Sequence, residues 1–307
     1  MAITGNVVKE QFIPIPPLAE QRRIIAKLEE LLPLVEEYGK AESTLTALNA
    51  TFPEALKKSI LQDAVQGKLV PQDPDDEPAS VLLGRIRQEK KVLDKTKKGK
   101  RNPVESRIVR RDNSYYELRD GVERCVDELL PFEIPDSWEW ARLGEVLNKL
   151  TDGTHFTPTY VEKGIPFLSV KDISSGAINF DSVKYISPTE HYQLYSRCDP
   201  QKGDILLTKV GTTGIPVLVN TDTPFSLFVS VALLKFNDKF LDPKYLIFVL
   251  KSPLVQVQCA EKTKGVGNKN WVVRDIAQTI ISIPPLEEQR RIVAKLEELL
   301  KQVETLK

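Results

Sequence analysis

The sequence predicts an α+β protein, a globular domain of short twisted strands and helices flanked by long helices of coiled-coil type. Three observations predict it. A 22-residue helical segment occurs twice, at 15–36 and 283–304, an offset of 268, and the aligned positions differ only at Ala19/Glu287, Ile25/Val293, Pro33/Lys301 and Leu34/Gln302. Between the copies, short apolar runs alternate with Gly, Pro, Asn and Asp turns, the pattern of strands. The chain has 307 residues, of which 41% are hydrophobic and 28% charged, enough for one sizeable core plus extensions. A repeat of domain-sized period excludes a solenoid and indicates one unit and the start of its copy around a globular insert.

Residues 1–14 are a short strand-like lead (Asn6-Val-Val, Gln11-Phe-Ile-Pro-Ile) and read as the remnant of a preceding globular domain. The segment 15–70 follows as a long spacer helix. Pro16-Pro17 and Pro284-Pro285 fit a helix's first turn, where a missing N–H costs nothing. Glu20 and Glu287-Glu288 then complement the helix dipole. Leu18, Ile25 and Leu32 recur every seven residues, as do Gln21, Leu28 and Val35; the copy repeats this with Leu286, Val293, Leu300 and Gln289, Leu296, Val303. This is an a/d seam, suited either to packing on its own domain or to helix pairing. A helix from Leu18 to Ala64 would span roughly 70 Å at 1.5 Å per residue. Pro33 and Pro53 should kink or interrupt it, and Gly67 with Pro71 marks its end.

Segment 71–130 reads as a basic linker with a short helix at Ala79–Asp94. Residues 85–111 hold twelve Lys/Arg against Glu89, Asp94 and Glu105, a net of +9. Such a run is either a solvated linker or a strap for phosphates. The insert, 131–282, shows strand-like runs at Pro166–Val170, Asp204–Thr208, Val217–Val219 and Val229–Phe236, with helices at Leu241–Leu250 and Leu254–Glu261. Residues 283–307 begin a second spacer helix.

Other features narrow the function. Cys125, Cys198 and Cys259 are odd in number and unaccompanied by a Cys-x-x-Cys, and His155 and His191 are the only histidines, so neither a disulfide frame nor a metal site is expected. No apolar run of about 18 residues and no signal-peptide pattern occurs, which makes a cytoplasmic protein the expectation. Net charge is zero, so affinity for nucleic acid would come from local patches.

The Ile-Pro-Pro-Leu-x-Glu-Gln-x-x-Ile helices resemble those of the specificity subunit of type I restriction-modification systems. So do Ala64-Val-Gln-Gly-Lys-Leu-Val, Asp76-Glu-Pro-Ala-Ser-Val-Leu-Leu, Phe132-Glu-Ile-Pro-Asp-Ser-Trp-Glu-Trp, Thr151-Asp-Gly-Thr-His and Gly203-Asp-Ile-Leu-Leu-Thr-Lys-Val-Gly. The resemblance implies that 131–282 is a target-recognition domain reading one half of an interrupted site in double-stranded DNA. It also implies antiparallel spacer helices that dock modification (methyltransferase) subunits and, through them, restriction subunits, with no catalytic residue or cofactor of the chain's own. The chain departs from the family pattern in holding one recognition domain and only the start of the second helix, so it resembles a half or truncated subunit. An unpaired remainder of the first helix would favour a homodimer or docking by a modification subunit.

The candidate DNA-contacting residues follow. Lys262, Lys264 and Lys269, interleaved with Asn268, Asn270, glycines and Trp271, suit phosphate contacts and adenine reading, or else form a charged loop with Trp271 anchored in the core. Thr154 and His155 sit in a turn that the resemblance marks as a contact. Lys209, Thr212 and Thr213 flank two glycines and could hold phosphate through backbone N–H groups. Two other classes compete. An enzyme would need a methyltransferase's Gly-rich loop and Asn/Asp-Pro-Pro-aromatic motif, which are missing, or a nuclease carboxylate cluster, for which Asp75-Asp76-Glu77 in its Pro-flanked turn is weak. A non-catalytic coiled-coil scaffold explains the helices but not the insert, and a recognition module of a single-chain restriction-modification enzyme is the remaining alternative.

Overall fold

The structure is a computed structural model that describes residues 12–96, 106–119, 121–263 and 269–306. It divides into two compact units, 1–55 and 56–307. Helix α1 (Leu18–Val65) runs through Pro33 and Pro53 without interruption, contrary to the expected breaks. Each proline removes one N–H bond, and the turns on either side keep the helix going. In the first unit its seam residues Leu18, Ile25, Leu28, Leu32 and Val35 are all exposed. Past Val65 the chain turns at Gly67, which adopts φ +73°, as its stop signal predicted.

The second unit is larger than the expected insert. The end of α1 contributes Leu61, Ala64 and Val65 to its core, and α2 (Ala79–Thr96) contributes Leu82, Leu83 and Ile86. Within the segment read as a linker, the short helix expected at Ala79–Asp94 is thus present and packs into this unit's core. Strands β1 (Ser106–Arg111), β2 (Ser114–Arg119) and β3 (Val122–Cys125) form an antiparallel sheet turning at Asp112 and Asn113, both with positive φ. Ile108 and Tyr115 bury one face, and Glu117 takes a bidentate bond from Arg142, with Arg142 Nη2 2.8 Å from Glu117 Oε2. The arginine-rich composition concealed this sheet, because Arg107, Arg110, Arg111 and Arg119 stand among its apolar residues. The remainder of the basic run, 97–105, and the lead 1–11 lie outside the described residues.

Strand β4 (Glu139–Arg142) and the short helix α3 (Leu143–Val146) lead into β5 (Lys149–Asp152), β6 (Tyr160–Val161), β7 (Ile165–Leu168) and β8 (Lys184–Ile186). Helix α4 (Pro188–Tyr195) precedes β9 (Ile205–Thr208), β10 (Pro216–Leu218), β11 (Ser226–Leu227) and β12 (Val231–Lys235). The order β10-β9-β12-β5 makes an antiparallel sheet; β11-β7-β8-β6 is mixed, with β11 parallel to β7. Their shared interior is apolar (Leu168, Leu206, Val217, Leu227, Val231, Leu233). The strand-like runs at 166–170, 204–208, 217–219 and 229–236 correspond to β7, β9, β10 and β12.

Helices α5 (Pro243–Lys251) and α6 (Pro253–Lys262) match the two helices read from the sequence. Asp242 caps α5 by accepting from the Lys244 and Tyr245 N–H groups, and Pro243 fits its first turn. A short α7 (Val273–Ala277), then β13 (Ile280–Ile283) paired with β4, lead to α8 (Leu286–Glu304). Here the second seam is consumed within its own unit. Val293, Leu296 and Val303 are buried, with Leu286 and Leu300 half-buried. Glu288 is fully buried and accepts from Trp138 Nε1 (2.9 Å) and Gln72 Nε2 (2.6 Å). Arg291 grips Asp76 at 2.6 Å, and Lys244 bridges from α5 to Glu297.

Candidate nucleic-acid interface

The polar loops of the second unit meet at the end of the β5-β12-β9 ladder. β5 ends on Asp152, and the next residue must be glycine, since a Cβ on Gly153 would stand 2.0 Å from the Leu227 carbonyl oxygen. That close approach lets the Thr154 N–H donate to Leu227 O (2.9 Å) and the Val229 N–H to Thr154 O (2.9 Å). Thr154 is thereby 5% exposed, its hydroxyl turned to the Phe156 carbonyl. It shapes the turn and does not face solvent, a correction to its expected place as a contact. His155, the next residue, is exposed.

Lys209 is likewise misplaced by a surface reading. It is 4% exposed, and its ammonium bonds Asp152 Oδ2 (3.2 Å) and the Val229 carbonyl (3.3 Å). A buried ammonium needs such a carboxylate, because desolvating either charge alone is costly. The loop after it is also self-satisfied: Gly211 N–H donates to Lys269 O (2.9 Å) and Gly214 N–H to Thr208 O (2.8 Å). The anion cradle expected from Lys209, Thr212 and Thr213 therefore lacks those two donors. Both glycines have positive φ, which the turn requires. Thr212 remains exposed and Thr213 is half-buried.

The 269–271 segment joins this edge. Val210 and Asn270 form an antiparallel bridge, and the Trp271 N–H donates to Lys209 O at 2.7 Å. Trp271 is fully buried, so the reading of this loop as anchored by its tryptophan is correct; Lys269 and Asn270 flank the anchor and are exposed. Lys264 and Asn268 lie outside the described residues. Lys262 is exposed at the end of α6 and lines a separate groove of about 660 Å³ with Val257, Leu129 and Arg119.

The structure adds a residue that the sequence did not flag. Arg197, just past α4, places Nη2 2.6 Å from Asp152 Oδ1 and 3.3 Å from His155 Nε2, while His155 Nε2 lies 3.1 Å from the same carboxylate oxygen. Asp152 thus gathers His155, Arg197 and Lys209 around one buried carboxylate. Next to it is a pocket of about 280 Å³ lined by Gly153, Thr154, Phe156, Gln193, Leu194, Arg197, Cys198 and Leu227. Helix α4 is fixed there by its Ser187 cap and by His191, buried with Nδ1 2.8 Å from Ser226 Oγ. Burial lowers the His191 pKa and pushes the Cys198 thiol up to about 12, so neither is poised for chemistry at neutral pH. Arg197 lies 42 residues from His155, and no local signal joins them.

Residues 135–307 match the model of the family described as the type I restriction modification DNA specificity domain. The chain belongs to this family. It is 28% identical over 339 residues to the type I restriction enzyme EcoAI specificity subunit of Escherichia coli, an alignment covering 96% of this chain and 54% of that protein. The EcoBI specificity subunit of the same organism is 26% identical, with 97% and 53% covered. The chain thus spans about half the length of the curated relatives it matches. The HsdS subunit crystal structure from Thermoanaerobacter tengcongensis superposes with a TM-score of 0.48 at 21% identity, over all of this chain and 57% of that one. In this specificity-domain protein the family match spans the Asp152 turn, α4, the 209–214 loop and 269–271. The β1–β3 sheet lies outside it. No described helix is long and apolar enough to cross a membrane.

Proposed function

We propose that the chain is a DNA-recognition component of a type I restriction-modification complex, reading one half of an interrupted duplex site through its second unit. The methylation and cleavage chemistry belongs to modification subunits and, through them, restriction subunits. The observation that carries this reading is the convergence of three separate polar loops (152–155, 209–213 and 269–271, with Arg197) on one edge, in the part of the chain that matches the specificity family. Exposed Lys269 supplies a phosphate contact there and Lys262 a second one from its separate groove, while His155, Arg197, Thr212 and Asn270 are placed to meet base edges. Selection of bound duplexes from a random pool, by the full chain alone and with a modification subunit, tests it. Enrichment of one short motif is expected, and a pool left unenriched in both arms overturns the reading. Lys262→Ala with Lys269→Ala should weaken binding to every duplex and reduce the salt slope by about one per residue.

A second reading concerns assembly. The exposed stripe of the first unit, which extends through Leu45, Leu48 and Phe52, favours a homodimer or a docked modification subunit, since apolar burial returns about 25 cal/mol per Å². Sedimentation at micromolar concentration should reveal a dimer that Leu28→Glu with Leu48→Glu abolishes. A monomer indifferent to both that change and added modification subunit refutes it.

A further inference from the structure

The proposed reading leaves open what the pocket beside Asp152 does. Its lining is largely apolar: Leu227 and Cys198 are buried, Leu194 is half-buried, and Gly153 contributes bare backbone. Burial keeps the Cys198 thiol protonated, so it packs as a small hydrophobe. Phe156 also lines the pocket and is 60% exposed, although its loop is held at both ends. The Thr154 hydroxyl lies 3.3 Å from both the N–H and the carbonyl oxygen of Phe156. Two residues further on, Pro158 is buried, and the Thr159 N–H donates to the Glu190 carboxylate at 3.2 Å. The recess is therefore preformed, and a ligand entering it orders little that was loose.

Its position limits what enters. The pocket, about 280 Å³, includes exposed Gln193 and Arg197 in its lining, and Phe156 follows the exposed His155, all on the edge assigned to duplex DNA. A phosphate gains nothing from an apolar recess, and the hydrogen-bonding edges of adenine, guanine and cytosine would be desolvated there without a partner. Of the groups that the bases project into the major groove, the thymine 5-methyl alone is apolar, and apolar side chains such as Phe read it by contact. The volume admits that methyl together with the adjoining C5–C6 edge of the pyrimidine ring. We propose that this pocket is a thymine-reading site, with Phe156 as the specificity-determining residue that packs on the 5-methyl group. This rests on the reading of the chain as a DNA-recognition component.

The test uses the motif selected by the full chain. Replacing thymine by uracil, one position at a time, removes a single methyl and nothing else. At one position the wild-type chain should lose roughly 3- to 10-fold in affinity, the effect of burying one methyl group. At that position 5-methylcytosine should bind more tightly than cytosine by a similar factor. These two arms need no variant. Phe156→Ala should bind the thymine and uracil duplexes within about twofold of each other, whereas Phe156→Leu, which keeps an apolar wall, should retain most of the difference. The salt slope should be unchanged in both variants, since no phosphate contact is lost. A wild-type chain indifferent to uracil at every selected thymine, or a motif without thymine, would overturn the proposal. So would a Phe156→Ala chain that still prefers thymine to uracil, because the ring would then be a wedge between bases or a brace of its loop. A wild-type chain that selects no motif defeats the underlying reading and this inference with it, whereas a selected motif insensitive to uracil defeats the inference alone.

Discussion

Residues 15–36 and 283–304 carry nearly the same side chains, yet Leu28 is 48% exposed whereas its counterpart Leu296 is fully buried. Both copies begin with Pro-Pro, and both turn a glutamine back onto the first of those prolines: Gln21 Nε2 donates to Pro16 O (2.8 Å) and Gln289 Nε2 to Pro284 O (3.1 Å). That motif is local and is satisfied wherever the helix stands. What differs is the surrounding protein. Gln289 also accepts from the Asp242 N–H at 2.9 Å, Glu288 meets Trp138 and Gln72, and Arg291 meets Asp76. The equivalent Gln21 is half-buried, and Glu20 and Arg23 are exposed. A seam written in sequence is an offer of burial, and only a neighbour of the right shape accepts it.

Paired substitutions put that difference to measurement. The largest effect is expected for Leu296→Ala, about 2–5 kcal/mol in denaturant unfolding through lost burial and a cavity, while Leu28→Ala, measured at a dilution where the chain is a monomer, should stay within about 0.5 kcal/mol. Equal costs at the two sites would mean that the first copy is covered in solution. Next comes Glu288→Ala, which strands the buried Trp138 indole N–H and should cost about 1–3 kcal/mol; Glu20→Ala removes only a dipole contact, about 0.3–1 kcal/mol.

The smallest effect is the pH dependence. Burial raises the Glu288 carboxyl against the opposing bonds from Trp138 and Gln72, so its contribution is most favourable at low pH and declines as pH rises from the ordinary carboxylate range through its elevated value. Glu117 behaves oppositely. Burial pushes it up, but bonds from Arg142 and Ser106 outweigh this and hold it below the usual range, so its stabilisation is present above the unfolded value and fades as pH falls through the depressed one. Unfolding midpoints across pH 3–6 (roughly, the carboxylate range) should lose part of their acid-side fall in Glu117→Gln. An unchanged profile would exclude the Arg142 pair as the acid-labile element.

Much of the architecture was legible because it is periodic or punctuated. The helices α1, α5, α6 and α8, the Gly67 stop and the strands β7, β9, β10 and β12 all follow from apolar spacing with Pro and Gly boundaries. The β1–β3 sheet was not, since arginines on both of its faces imitate a linker. The candidate site was legible only in pieces. His155, Asn270 and Lys269 are exposed on their loops, whereas Thr154 and Lys209 are drawn inward by contacts with residues far along the chain.

The sequence by itself determined the repeated helices with their Pro-Pro starts and the strands between turn residues, because each depends on neighbours within a few residues. The tertiary structure alone decided which copy of the seam is buried and which cations surround Asp152. Those outcomes require segments far apart in the chain to meet, as His155 and Arg197 do across 42 residues and Gln72 and Glu288 across 216. A buried carboxylate selects its partners by proximity in the fold, and desolvation makes that selection strict.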